Sequence, residues 1–96
     1  FHRDSLDGWV RLGYAQLRSS QLPAAQKSFA RAYQLSPQSP DVLNGLGMIH
    51  ARQQKVREAG GWFTAALQQK KDFAPALLNL AVLTQQHSTN QLGALK

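Results

Sequence analysis

An all-α fold built from repeated helix pairs is predicted by three features of the sequence. The chain aligns with itself at a spacing of 34 residues; its apolar residues recur at three- and four-residue intervals, with no segment alternating at period two; and helix-breaking residues return at matching places in successive units. In that register Leu12-Gly13 falls on Leu46-Gly47, Arg18 on Arg52, Ala25 on Ala59, Phe29 on Phe63, Ala32 on Ala66 and Gln34 on Gln68. A second step carries Leu12, Gly13 and Ala25 to Leu80, Ala81 and Gly93, keeping one large apolar residue and two small ones. The 96 residues therefore hold about 2.8 units in one domain, at about 6–39, 40–73 and an incomplete 74–96.

The elements follow in order. Leu6, Trp9, Val10, Leu12, Gly13 and Leu17 share helical spacing and predict a first helix over 6–19. Ser19-Ser20-Gln21 marks a turn, and Leu22, Ala25, Phe29 and Ala32 predict a second helix over 23–35 with Pro23 at its start. Ser36-Pro37-Gln38-Ser39-Pro40 then interrupts the pattern. Ser39 suits the N-cap of a third helix over 40–53, Pro40 its first position, and Asp41 the positive end of its dipole. Asn44-Gly45 would turn a hairpin between strands, but the helical period around it overrides that reading. Gln53-Gln54-Lys55 separates a fourth helix over 56–70, and Asp72 with Pro75 repeats the start signature for a fifth over 74–87. Ser88-Thr89-Asn90 is expected to turn the chain into a sixth helix from 91 onward.

Size and composition bound the function. A chain of 10.6 kDa buries roughly 65% of its extended surface on folding, enough for a core of modest stability. It has no cysteine, which removes disulfides, thiolate metal sites and cysteine nucleophiles. Eleven Lys+Arg against five Asp+Glu leave +6, but the basic residues are dispersed and the longest run is Lys70-Lys71. No apolar stretch reaches the length of a membrane span and no signal-peptide pattern opens the chain, so it reads as soluble, with no membrane insertion. It starts at Phe1 and closes on an apolar-rich helical pattern, and we expect an excerpt of a longer protein; the sequence specifies no compartment.

Trp9-x2-Leu12-Gly13, Ala25-x3-Phe29, Ala32 and Pro37 in the first unit, and Leu43-x2-Leu46-Gly47, Ala59, Phe63 and Ala66 in the second, resemble the tetratricopeptide repeat, a 34-residue helix–turn–helix unit. Leu77-x2-Leu80-Ala81 with Gly93 begins a third copy. Gln16 and His50 stand where the pattern has an aromatic residue, and Lys71 where a proline is usual. The resemblance implies a right-handed α-α superhelix in which neighbouring units stack around a concave surface. Physically, Gly13, Gly47 and Ala81 let paired helices approach, while Phe29 and Phe63 fill the gap the small residues leave. Leu92 and Leu95 then lack a following helix, so either the parent chain continues or another chain covers them, and self-association through that end is one expectation.

A catalytic constellation is not expected. His2, His50 and His87 lie far apart, and none has a ligand-type partner three or four residues on. All four aspartates, Asp4, Asp7, Asp41 and Asp72, sit beside predicted helix starts, where they cap or complement dipoles; Glu58 is the fifth acid. Gly45-Leu46-Gly47 and Gly60-Gly61 lack the preceding strand that a phosphate-cradling loop needs. For Gly60-Gly61 two readings stay open, close helix packing or a weak first turn. Trp9 occupies a core slot of the repeat; Trp62 is either an inter-repeat packing residue or an exposed anchor. No metal and no cofactor is expected.

The resemblance implies a non-catalytic scaffold that binds a protein or peptide segment along the face of each unit's first helix. Transferred unit by unit, that groove comprises Val10, Tyr14 and Leu17, then Asn44, Met48 and Ala51 with Arg52, then Leu78, Val82, Gln85 and Gln86, with Asn79 at its rim. Within each unit the set recurs at helical spacing, on a face distinct from the Trp9/Leu12 stripe. Tyr14 and Met48 would supply adaptable contacts and the amides hydrogen bonds to a peptide backbone. The slots with which some family members grip a C-terminal carboxylate hold Val10, Tyr14, Pro75 and Asn79 here, against a clamp of that kind. Two further readings are kept: a binder of nucleic acid or an anionic polysaccharide through Arg18, Arg52 and their basic neighbours, and an accessory module to an enzyme elsewhere in the parent chain.

Overall fold

A computed structural model describes the backbone of residues 5–94 and the side chains of residues 5–85. Among these residues the chain forms α1 (Leu6–Arg18), α2 (Leu22–Leu35), α3 (Pro40–Arg52), α4 (Val56–Gln69) and α5 (Ala74–Ala94), and no strand. It is an all-α helical repeat. The first five predicted helices are found within about one residue at their starts and the first four at their ends. The expected turn at Ser88-Thr89-Asn90 and the separate sixth helix are corrected, because α5 runs through these residues as one helix of 21 residues. None of Ser88, Thr89 and Asn90 breaks a helix as proline does, and without a proline or glycine in the turn the backbone ladder continues. The side chains of Leu92 and Leu95 lie outside the described residues.

Of the helix starts, α1 has a side-chain cap the sequence reading did not single out, and α3 lacks the side-chain bond expected of Ser39. Ser5 accepts a hydrogen bond from the Gly8 N–H at 3.3 Å at the start of α1. Ser39 takes the extended N-cap backbone before α3 without a side-chain bond, so Pro40 and Asp41 define that start. Within a unit the turns are alike: Ser20 and Gln54, 34 residues apart, both adopt the left-handed conformation, at φ 60 and 64°. Each closes its helix by the same pair of bonds. Gln21 N–H donates to the Gln16 carbonyl at 2.8 Å and Ser20 N–H to Leu17 at 3.0 Å; Lys55 N–H donates to His50 at 2.9 Å and Gln54 N–H to Ala51 at 3.1 Å.

Phe29 and Phe63 anchor the packing. Phe29 of α2 clusters with Leu17, Ala25 and Ile49, and Phe63 of α4 with Leu43, Ala59, Ala66, Phe73, Ala76 and Leu83. Close approach is enforced by glycine at two helices: a Cβ added at Gly13 of α1 would lie 2.7 Å from the Phe29 ring, and one at Gly47 of α3 would lie 2.5 Å from that of Phe63. Gly45 faces Phe29 from α3, so the ring is held between two helix backbones. The two residues that stand in place of an aromatic are each given a partner. Gln16 accepts a 2.6 Å hydrogen bond from the buried Ser28 hydroxyl, joining α1 to α2. His50 donates from Nδ1 to the Leu46 carbonyl at 2.8 Å and lies 6.0 Å from the Trp62 ring.

Trp62 is therefore an inter-repeat packing residue, half-buried between His50 and Tyr33, whose ring it meets edge-on at 5.7 Å. Trp9 is half-buried, and its shielded Nε1 has no hydrogen-bond partner among the described residues. At Gly60 an added Cβ would meet only Leu83, at 3.8 Å, and at Gly61 nothing within 4 Å. Close packing accordingly does not explain this pair, which lies in the second turn of α4 with negative φ. Gly61→Ala is expected to raise stability by about 1 kcal/mol, the helix propensity difference. A urea midpoint unchanged or lowered relative to wild type would contradict it.

Candidate partner-binding groove

The predicted groove residues divide into a buried set and an open set. Along α1 and the start of α3 they serve the fold: Leu17 is 1% exposed and Asn44 2% exposed. That corrects the expectation that these two side chains face a ligand. Leu17 joins the Phe29 cluster because its position continues the Gly13 stripe toward α2. Asn44 is consumed by a ladder of side-chain hydrogen bonds that crosses the units. The Tyr14 hydroxyl donates to the Asp41 carbonyl at 2.6 Å, the Asn44 amide donates to the Tyr14 oxygen at 3.0 Å, and the Asn79 amide donates to Asn44 Oδ1 at 2.9 Å. The Asn44 amide also approaches Met48 Sδ at 3.7 Å. The ladder thus ties α1, α3 and α5, the first helix of each unit. Val10 and Tyr14 are half-buried, and Tyr14 meets the edge of Phe29 at 5.0 Å.

Burial gives Tyr14 its electrostatic signature. Its hydroxyl is pushed up to about 12, chiefly by desolvation, against an opposing pull from the Asn44 amide and with a lesser upward push from the Asp41 carboxylate. The fold holds the neutral phenol, so its contribution is complete below the ordinary tyrosine value near 10 and is lost as pH rises toward about 12. Stability should fall across that window with an added slope of at most about 1.4 kcal/mol per pH unit. Tyr14→Phe should remove that added slope, as read from urea midpoints measured at several pH values; identical slopes in the two proteins would refute the assignment.

Of the open set, Met48, Arg52 and Val82 border a cleft between α3 and α5, and Leu78 and Gln85 do not line it. This cleft of about 280 Å³ is lined by Met48, Ala51, Arg52 and Gln54, by Asn79, Val82 and Leu83, and by the buried Phe63. Met48, Arg52 and Val82 were expected in the groove and are brought together here; Asn79 was expected at its rim. Val82 is 45% and Leu78 67% exposed, and Gln85 is exposed, whereas the side chain of Gln86 lies outside the described residues. Sequence reasoning missed Gln54, Phe63 and Leu83. Phe63 and Leu83 belong to the core stripe by spacing, and only the gap between α3 and α5 shows that their edges also border the cleft. Gln54 reaches it because its left-handed backbone redirects the turn.

Among the described residues no group of three His, Asp or Glu side chains is placed to hold a metal, and no helix is long and apolar enough to cross a membrane. The sequence model of the tetratricopeptide repeat matches residues 10–82. Over 84 residues, 83% of the chain, it is 36% identical to the cellulose synthase operon protein C of Komagataeibacter xylinus, and over the same length 34% identical to that of Komagataeibacter sucrofermentans. A cellulose synthase 2 operon protein C of Komagataeibacter xylinus is 39% identical over 62 residues. The chain spans only 6% of the length of the first two relatives and 5% of the third. With a 34-residue register, paired helices and glycine-seated phenylalanines at equivalent places, the chain belongs to the tetratricopeptide-repeat family.

Proposed function

We propose that this chain is a non-catalytic interaction module that holds a segment of a partner protein in the concave groove, chiefly in the cleft between α3 and α5. The observation that carries the reading is the cleft itself, where exposed Val82 and half-buried Met48 stand beside Arg52 and the Asn79 amide. Apolar wall, polar rim and one charge form the composition expected of a site that seats an anchor side chain and orients the backbone around it. The ligand surface is proposed to comprise Met48, Arg52, Leu78, Val82, Gln85 and Gln86, with Val10 and Tyr14 at its far end. We also read the chain as units about 6–39, 40–73 and the start of a third within a longer repeat protein. Support comes from the relatives, in which 83% of this chain aligns with 6% of the whole. By that likeness we propose that the parent acts in a cellulose synthase context, with any catalysis outside these residues.

Selection of random twelve-residue peptides displayed on phage tests the groove. Peptides enriched by the wild-type chain should bind Val82→Glu at least about tenfold more weakly, because the substitution places a carboxylate in the apolar wall. Equal binding would remove the groove assignment. A second reading, an anionic-polymer binder, is supported by Arg18 and Arg52, both exposed in the last turns of α1 and α3. It requires capture of DNA or an acidic polysaccharide that weakens steeply with salt.

A further inference from the structure

Two of the groove helices, α1 and α3, carry opposite charges at their two ends. Asp7 and Asp41 occupy the first turns of α1 and α3, and Arg18 and Arg52 the last turns. Asp41 and Arg52 are separated by eleven residues, about 17 Å along the helix axis. The cleft sits at the arginine end, since its α3 wall is built from Met48, Ala51, Arg52 and Gln54. Among the described residues Arg52 is the single charged one in the lining, and no acid contributes to it. Asp7 pairs with Arg11 at 2.9 Å, whereas Arg52 has no carboxylate partner among the described residues. The last carbonyls of α3 accept from the backbone N–H groups of Gln53, Gln54 and Lys55, so the helix end has its own partners and does not engage the guanidinium.

Resting on the groove reading above, we infer that the occupant is an acidic protein segment: it seats one large apolar side chain in the α3/α5 cleft and presents a carboxylate to the Arg52 guanidinium. A cleft of about 280 Å³ admits one such side chain, and an arginine fork at its edge matches a carboxylate in both charge and planar geometry. The chain's net charge of +6 draws an acidic segment toward it, and the Asp41 end of α3 repels the same acid, which fixes the direction in which the segment lies. Nucleic acid fits less well. Its backbone would leave Val82 and Leu78 uncovered, and two arginines one repeat apart offer few phosphate contacts.

The same phage-displayed peptides test the inference. Sequences enriched by the wild-type chain should carry Asp or Glu within about three residues of Leu, Met or Phe. Synthetic versions should bind Arg52→Glu at least about fivefold more weakly, and their Lys-for-acid counterparts should prefer that variant. Lys27→Glu, on an exposed position of α2, makes the same change in net charge and should leave binding unchanged. Groove-dependent peptides without acid enrichment would overturn the inference and leave the groove reading standing. Equal weakening by Lys27→Glu would overturn it in favour of a diffuse basic field, as would equal binding by poly-aspartate. No enrichment at all would count against the groove reading itself. Helical circular dichroism of each variant matching wild type keeps loss of fold apart from loss of binding.

Discussion

Phe29→Ala is expected to remove about 3–5 kcal/mol of stability, measured as a shift in the urea midpoint followed by circular dichroism. A domain of this size holds on the order of 5–10 kcal/mol in total, so the variant stands near the edge of folding. The size of the effect follows from where the ring sits. It is fully buried, carried by α2, and flanked by Gly13 of α1 and Gly45 of α3, so its loss opens a void shared by three helices. The converse substitution tests the same contact from outside. Gly45→Ala drives a methyl into Phe29 Cε1 and Cζ, and the ring has no room to retreat because Gly13 backs it. A net loss of about 1–2 kcal/mol should remain after alanine's better helix propensity is counted. Since Gly61→Ala is expected to stabilise, one substitution carries opposite signs at two helical glycines. A Gly45→Ala variant as stable as Gly61→Ala would mean that the ring is not clamped.

Asn44→Ala should destabilise by about 2–3 kcal/mol. It opens a small void at a position 2% exposed and leaves the Tyr14 hydroxyl and the Asn79 amide each short of one partner. Tyr14→Phe and Asn44→Ala should also be non-additive, with a coupling of about 1 kcal/mol, because they share one hydrogen bond. A loss within about 0.5 kcal/mol of wild type for Asn44→Ala would show that water replaces the ladder at no penalty. Substituting Tyr14 and Asn44 together therefore reports on folding, and the binding experiments rest on the exposed Val82 and Arg52 instead.

The helices were legible because they depend on local signals: apolar spacing for the bodies, Pro23, Pro40, Asp41 and Pro75 for the starts, and a self-alignment that repeated each decision one unit later. Gly13 and Gly47 opposite Phe29 and Phe63 could be read as seats for rings, since one side of each pair lacks a side chain where the other has a large one. The limit came at α5. Ser88-Thr89-Asn90 resembles a turn in composition, but ending a helix takes a competing set of backbone partners, and these residues impose none. That Met48, Arg52 and Val82 share one face was legible, and they line the α3/α5 cleft; the burial of Leu17 and Asn44 was not. Facing the concave side is a matter of helical phase, which the register supplies. Being accessible there depends on whether the adjacent helix contributes a partner, and Tyr14 and Asn79 reach Asn44 from helices 30 and 35 residues away in sequence.

In stacked helix pairs, each unit ordinarily leans on its neighbours alone, so the ends can open while the middle stays closed. Tyr14, Asn44 and Asn79 alter that arithmetic, because the middle residue of the chain of bonds belongs to both interfaces at once. Detaching α5 strips a partner from the same amide that holds α1, and the two openings become one event. Amide protons of α1 and α5 should then exchange at rates approaching those of α3, as members of a single cooperative block. A linear array so wired resists piecemeal entry by proteases at its margins and yields, when it does, as a whole.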